Sequence, residues 1–334
     1  MKLKIVYIER KSSDAVSIEK VFRQIEKSIS KTNYESEFQQ LPYFNQALGI
    51  LKNFIYFKKK TADIYHITGD VHYIALLLPS KKTVLTIHDL RFLHRKKGFR
   101  RFIIKKLFLD LPIRRLKYIT AISEATRNEI LENTNCPAEK IHLIENPLRE
   151  DFSTAIDKNF NEKCPNILQI GTAPNKNVVN LIKALKDINC RVIIIGEIDR
   201  ELMSEIKVNK TNFVQKVNLK DEELKDEYMK ADIVAFCSLY EGFGLPIIEA
   251  QAMRTAVITS DIAPLNVISG GGAVLVNPNN INEIREGVLK IISDKKYRKN
   301  LIEKGLENIK NFAPEKIAGL YENLYQEIFT NSII

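Results

Sequence analysis

Short apolar runs rich in isoleucine and valine recur along this chain, and stretches with helical spacing separate many of them. In the first half the runs lie at 4–8, 64–67, 84–87, 118–122 and 141–144. In the second half they lie at 167–170, 191–195, 212–214, 233–237, 256–259 and 273–276. Between them, 17–28, 123–132, 177–185, 221–230 and 281–293 read as helices, and so does 314–329. A strand that is apolar throughout, and not only at alternate positions, has both faces covered. Such strands joined by helices form parallel sheets. Two series therefore predict an α/β chain of two doubly wound domains. Its 334 residues suit that number. The polar, aperiodic stretch between Pro147 and Pro165 is the expected division.

Ligands of parallel sheets bind beyond the carboxyl ends of the strands. The residues there are small, polar or ionisable: His66 to Gly69, His88 and Asp89, Ser123, Asn146, Gly171 and Thr172, Gly196 and Glu197, and Glu241 to Gly244. His66 is expected on a ligand-facing rim and His72 within the structure. Asp89 reads as a helix cap, and Ser123 and Asn146 as caps or ligands.

The most informative stretch is S-L-Y-E-G-F-G-L-P-I-I-E at 238–249. It follows a strand and opens a helix. Pro246 suits a first helical turn, where its missing N–H is not needed. Gly242 and Gly244 let the backbone approach a ligand, and the new helix end favours an anion such as phosphate. Glu241 precedes the turn and can accept from sugar hydroxyls. Glu249 lies about one turn into the helix, where a carboxylate can accept from two vicinal hydroxyls, as on a ribose. A lone E-G-x-G would more simply be an acid complementing a helix dipole. The full dodecamer in this context points to a site.

With Ala250 the stretch resembles the signature of bacterial retaining glycosyltransferase family 4, with the GT-B architecture. T-I-H-D-L (86–90), A-I-S-E-A-T (121–126), I-E-N-P (144–147), I-G-T-A-P-N-K-N (170–177), V-I-I-I-G (192–196) and A-D-I-V-A-F-C-S (231–238) fall in the family's order. The resemblance implies two Rossmann-like domains whose parallel sheets face a central cleft. Residues 1–147 would bind the acceptor and 165–312 the nucleotide-sugar. Residues 148–164 would link them, and 313–334 would form a helix packing back on the first domain. It implies catalytic roles for Glu241, His88 and Lys176. It also implies donor binding by Glu249, by the backbone of Phe243, Gly244 and Leu245, and by Gly171, Thr172 and Gly196.

The sequence departs from the family's pattern in several places. Thr172 and Asn175 stand where the family often has Arg. Gln215 and Arg254 stand where it has Gly, and Asn266 where it has Glu. The loop after the first strand, E-R-K-S-S at 9–13, has no glycine. Charge stabilisation of a leaving diphosphate would rest on Lys176 and the helix terminus. No D-x-D motif lies at a strand end, so no metal and no cofactor are expected. The expected activity is transfer of a hexose-type sugar, with retention, from a UDP-sugar or, as second choice, a GDP-sugar. The acceptor would be a hydroxyl of a glycan or lipid-linked glycan in cell-surface polysaccharide synthesis. A nucleotide-sugar epimerase of the same architecture and a non-catalytic partner subunit remain as alternatives.

Charge adds one more feature. The formal net charge is +10, and residues 91–117 hold eleven Lys or Arg against one acid, Asp110. The remainder balances forty basic against forty acidic residues. Nucleic-acid coating needs distributed phosphate neutralisation and is disfavoured. The segment interleaves its charges with Phe92, Phe99, Phe102, Ile103, Ile104, Leu107 and Phe108. It reads either as a domain helix with a basic solvated face or as a surface for anionic lipid headgroups. The apolar run near the N-terminus is too short for a signal peptide. Four scattered cysteines form no C-x-x-C pair. Both fit a cytoplasmic enzyme, peripheral on the inner membrane face if the basic segment docks there.

Overall fold

A computed structural model describes residues 2–11, 17–94, 97–152 and 158–333. Of the residues singled out above, Ser12, Ser13, Arg95, Lys96 and linker residues 153–157 lie outside that set.

The chain divides into two compact units, residues 1–147 with 314–334, and residues 148–313. Each is built on a six-stranded, all-parallel sheet with helices between the strands, a Rossmann-like layout. The first sheet has the order β2-β1-β3-β4-β5-β6. Its strands are β1 (Leu3–Glu9), β2 (Tyr34–Gln40), β3 (Ile64–Ile67), β4 (Thr83–Ile87), β5 (Tyr118–Ala121) and β6 (Ile141–Leu143). The second has the order β12-β11-β10-β7-β8-β9. It is formed by β7 (Asn166–Ile170), β8 (Arg191–Ile195), β9 (Phe213–Lys216), β10 (Ile233–Phe236), β11 (Ala256–Ser260) and β12 (Val274–Val276). Each of the eleven apolar runs becomes a strand. The twelfth strand, β2, is Y-E-S-E-F-Q-Q, which no apolar run predicts. It is an edge strand, paired only with β1 through Leu3 opposite Tyr34, so most of its side chains stay partly or fully in solvent.

In the first unit, α1 (Ser17–Ser28) connects β1 to β2 in one direction along the sheet. All later connections run the other way: α2 (Ala47–Tyr56), the short 3-10 helix His72–Leu77, α3 (Arg91–His94), α4 (Gly98–Lys105), α5 (Leu111–Arg115) and α6 (Glu124–Asn133). Parallel crossovers are right-handed, so α1 lies on one face and α2 to α6 on the other. A π-helical turn, Lys106–Asp110, joins α4 to α5. The second unit carries α7 (Val178–Ala184), α8 (Arg200–Val208), α9 (Asp221–Lys230), α10 (Leu245–Ala252), α11 (Leu265–Ile268), α12 (Ile281–Ser293) and α13 (Lys295–Asn308).

The last helix, α14 (Pro314–Ile333), returns to the first unit and packs beside α1. Its polar anchor is His66. The ring nitrogens lie 2.6 Å from the Tyr325 hydroxyl and 2.7 Å from Thr86 Oγ1, and the side chain is fully buried. Burial holds its pKa down at about 3. The rim role expected for His66 is therefore corrected: it is a neutral core residue tying α14 to the sheet. His72 is structural, donating from Nδ1 to the Phe108 carbonyl at 2.7 Å.

Candidate active site

The second sheet has a topological switch point. From β7 the chain moves to β8 and β9, then crosses back to β10 and continues outward to β11 and β12. The crevice between the carboxyl ends of β7 and β10 is where such sheets bind ligands. The two loops that flank it carry the residues read from sequence.

After β7 come Gly171, Thr172 and a 3-10 turn, Pro174–Lys176. After β10 come Ser238 to Gly244. The loops are joined across the switch point. Lys176 Nζ lies 2.7 Å from Glu241 Oε1, with the two side chains 19% and 14% exposed. Asn175 Nδ2 donates to the same oxygen at 3.3 Å and to the Tyr240 carbonyl at 3.0 Å. The Leu239 amide donates to the Asn175 carbonyl at 2.8 Å. The ammonium also stands 4.6 Å above the Phe236 ring. A cation and an anion, both mostly shielded from water, thus meet at the expected ligand position, where their fields are screened less than at an open surface. Gly171 makes room for the lysine stem. Its φ is +81°, and a Cβ there would lie 3.1 Å from Lys176 Cε. Thr172 lies against Gly196, which follows β8.

Helix α10 begins at the same crevice. Gly244 is its N-cap with φ +115°, and a Cβ there would strike Leu265 at 2.7 Å. The first amides of a helix have no intrahelical partner, and its dipole favours an anion there. The amides near Gly244 and Leu245 are therefore suited to phosphate oxygens. The Phe243 ring is buried edge-on against Phe312, so only its backbone can face a ligand.

Glu249 lies one turn further into α10 and is nearly buried. The Tyr228 hydroxyl donates to its Oε2 at 2.6 Å. Burial pushes its pKa up, opposed by that hydrogen bond and by the Arg149 guanidinium. Arg149 is itself paired with Asp151 at 2.7 Å and Asp221 at 3.4 Å. Tyr228 is set by α9, whose C-terminal end is fixed by Lys158 Nζ donating to the carbonyls of Tyr228 and Ala231 at 2.9 and 3.1 Å.

His88, in the first unit, follows β4 and is buried. Its Nε2 lies 2.9 Å from the Thr68 carbonyl. A carbonyl only accepts, so Nε2 carries the proton and Nδ1 is the accepting atom. Burial lowers its pKa, with Asp70 acting in the opposite direction, so the ring favours the neutral form. Asp89 Oδ1 accepts from the Arg91 amide, and Ser123 Oγ from the Thr126 amide at the start of α6. Both serve as helix caps.

The structure thus brings Lys176 and Glu241 into contact, sets Gly171, Thr172 and Gly196 beside them, and places Gly244, Leu245 and Glu249 on one helix. Sequence reasoning missed Tyr228 and Arg149. Tyr228 is the only aromatic residue of α9, a faint signal of an inward face. Arg149 lies in the aperiodic linker stretch, where nothing marks it.

In sequence and in fold the chain is similar to known glycosyltransferases. Residues 152–308 match the family described as Glycosyl transferases group 1, and residues 21–152 the family described as Glycosyltransferase Family 4. The chain is 31% identical over 219 residues to the O-antigen chain mannosyltransferase RfbU of Salmonella typhimurium, a match covering 62% of this chain and 59% of that protein. It is 26% identical over 290 residues to O-antigen chain mannosyltransferase B of Escherichia coli, covering 79% and 74%. Among solved structures, a sucrose-phosphate synthase from Thermosynechococcus elongatus superposes with a TM-score of 0.82 at 15% identity, covering 98% of this chain and all of that one. With two Rossmann-like domains, the fold is GT-B.

Proposed function

Both domains of this chain carry glycosyltransferase sequence on a GT-B fold, and from that premise we propose a retaining, metal-independent hexosyltransferase of cell-surface polysaccharide synthesis. The observation that carries the reading is the Lys176–Glu241 contact at the switch point, beside the start of α10.

In this reading a nucleotide-sugar lies on the C-terminal domain. Glu249 accepts from the ribose hydroxyls through the carboxylate oxygen that Tyr228 leaves open. The amides near Phe243, Gly244 and Leu245 hold the phosphates. Lys176 stabilises charge as it develops on the departing diphosphate, which supplies the electrostatic assistance that a metal gives elsewhere. Glu241 orients the sugar through its hydroxyls. Gly171, Thr172 and Gly196 let the nucleotide approach the backbone. His88 is the N-terminal domain's partner for a sugar hydroxyl, accepting through Nδ1. The acceptor hydroxyl forms its new bond on the face from which the C–O bond to the diphosphate breaks. Its proton passes to the leaving phosphate oxygen, so no enzymic base is consumed. Configuration is retained.

A UDP-sugar is the favoured donor, because such donors are common in the resembled family. The two O-antigen relatives described above are named mannosyltransferases, so GDP- and UDP-hexoses belong in one screen. The acceptor is a glycan or lipid-linked glycan. Residues 91–117 would hold the enzyme on the anionic inner face of the membrane; no helix among the described residues is long and apolar enough to cross one. The test is slow hydrolysis of a panel of nucleotide-sugars, followed by the anomeric configuration of the product. One hydrolysed donor and a retained anomer are expected. An inverted product overturns the mechanism, acceptor-free interconversion of two sugar nucleotides points to an epimerase, and no binding of any donor revives the non-catalytic subunit.

A further inference from the structure

Helix α2 breaks the rule that soluble helices are apolar on one side only. Its sequence is A-L-G-I-L-K-N-F-I-Y, with one charge in ten residues. The inner side is accounted for. Ile50 and Phe54 pack on the core, and Asn53 is fully buried, donating to the Tyr43 carbonyl at 3.0 Å and the Tyr73 hydroxyl at 2.8 Å. The outer side is equally apolar and lies in solvent: Leu48 is 74% exposed, Leu51 56% and Ile55 64%. These three are spaced by three and four residues and form one stripe. A helix that is apolar all round is ordinarily buried, and a contiguous exposed apolar strip marks a binding surface.

Its surroundings identify the partner. Residues 41–62 hold four lysines, Lys52, Lys58, Lys59 and Lys60, and no acidic residue. By the handedness of the crossovers, α2 and α4 lie on the same face of the sheet. Ile50 and Phe54 of α2 and Ile104 of α4 pack on one core, and Phe54 meets the Tyr73 ring at 5.3 Å, as does Phe108 of the π-helical turn after α4. Helix α4 repeats the pattern, with Phe99 75% and Phe102 56% exposed beside the exposed Arg100 and Arg101. Apolar side chains flanked by cations match the two layers of an anionic leaflet. A soluble acidic protein would neutralise the charge but leave the apolar stripes unexplained.

We infer that α2 is an in-plane insertion helix. Leu48, Leu51 and Ile55 enter the acyl boundary of an anionic membrane, while the flanking lysines and the basic side chains of α4 rest on its headgroups. This extends the membrane reading of residues 91–117 from electrostatic contact to insertion, and rests on that reading.

The chain has no tryptophan, so Leu51→Trp supplies a unique depth reporter at an exposed position. With vesicles of phosphatidylglycerol and phosphatidylcholine, its emission should shift to the blue and be quenched by acyl-brominated lipid. The triple variant L48S/L51S/I55S, which leaves the inner face of α2 intact, should lose at least about tenfold in vesicle partitioning. Arg100→Glu with Arg101→Glu should weaken the salt-sensitive part of binding, which the flanking lysines share. An unshifted tryptophan, or a triple variant that co-sediments like the unaltered protein, overturns the inference. So does an unaltered protein that is a dimer split by the triple variant, since the stripe would then be a contact between copies. Donor hydrolysis is read in parallel. Its loss in the unaltered protein defeats the glycosyltransferase reading and leaves the vesicle result standing.

Discussion

The two domains have the same architecture, six parallel strands each, yet they have divided the chemistry. The N-terminal domain holds all five histidines and the whole excess of positive charge. Three of its histidines, His66, His72 and His88, are buried and hydrogen-bonded. The C-terminal domain is close to neutral, and at its switch point it sets a lysine against a glutamate. The fold supplies the same rims twice. The residues placed just after each strand decide what a rim carries, a neutral histidine held through one nitrogen as at His88 or an ion pair as at Lys176 and Glu241.

If that division is right, acid attacks one domain first. A buried neutral histidine has a folded pKa below its unfolded value. Its contribution to stability is complete above pH 6.5 and is lost as pH falls toward the folded value, about 3 for His66. Burial lowers His72, His88 and His142 as well. Glu9, raised to about 7 by burial, and Glu145, also raised, act with the opposite sign and offset part of this between about pH 7 and the ordinary carboxylate range. Four lowered histidines stand against two raised carboxyls, so the balance favours loss as the pH falls. Hydrogen exchange at pH 4 should show the N-terminal sheet opening before the C-terminal one. The reverse order would break the comparison.

The next largest effect belongs to the charged rim. Lys176→Ala should lower transfer by about 10²- to 10³-fold, the usual cost of removing one donor that stabilises transition-state charge. Unfolding of the N-terminal domain should be unaffected. Glu241→Gln touches the same ion pair, so the two substitutions should combine less than additively in a double-mutant cycle. Full additivity in the steady-state rate would mean that the Lys176–Glu241 contact has no part in turnover.

How much of this was legible in the sequence depends on burial. Strands covered on both faces must be apolar throughout, so the inner strands of both sheets could be read, and the edge strands β6, β9 and β12 kept enough apolar residues to be read with them. Strand β2 could not, because an edge strand in solvent needs no apolar run. Helix α2 was missed for the opposite reason: apolar residues on every side leave no period to detect. In the site, Lys176, Glu241 and the turn at Gly244 lie in contiguous motifs. His66 carried the same signal as His88, a histidine beside a β-strand, and only packing tells them apart. One is sealed beneath α14, and the other ends its strand with one nitrogen committed to the Thr68 carbonyl.

Glu249 offers a graded test of the charged domain. Hydrogen bonds between a carboxylate and hydroxyls contribute about 1.5–3 kcal/mol each. Glu249→Ala should therefore weaken donor binding by roughly tenfold to a hundredfold at saturable concentrations. Unchanged affinity in isothermal titration would remove the ribose assignment.

The smallest effect is the most discriminating. Tyr228 touches Glu249 but has no assigned contact with a donor. Its hydroxyl donates to one carboxylate oxygen and, in the proposed reading, would select which oxygen remains for a ribose. The ring is fully buried and packed edge-on against Phe152. Tyr228→Phe keeps that packing and removes only the donor, leaving a buried carboxylate oxygen short of a partner at a cost of about 1–3 kcal/mol. Glu249 already has a raised pKa, and losing the donor should raise it further. Donor affinity should then fall a few-fold, and its pH dependence should move upward, because the protonated carboxyl is the poorer acceptor. Glu249→Gln should abolish that pH dependence in either background. If Tyr228→Phe lowered stability but left the pH profile of donor binding in place, the tyrosine would be part of the α9–α10 packing alone, and the ribose would have to be held by the carboxylate without its help.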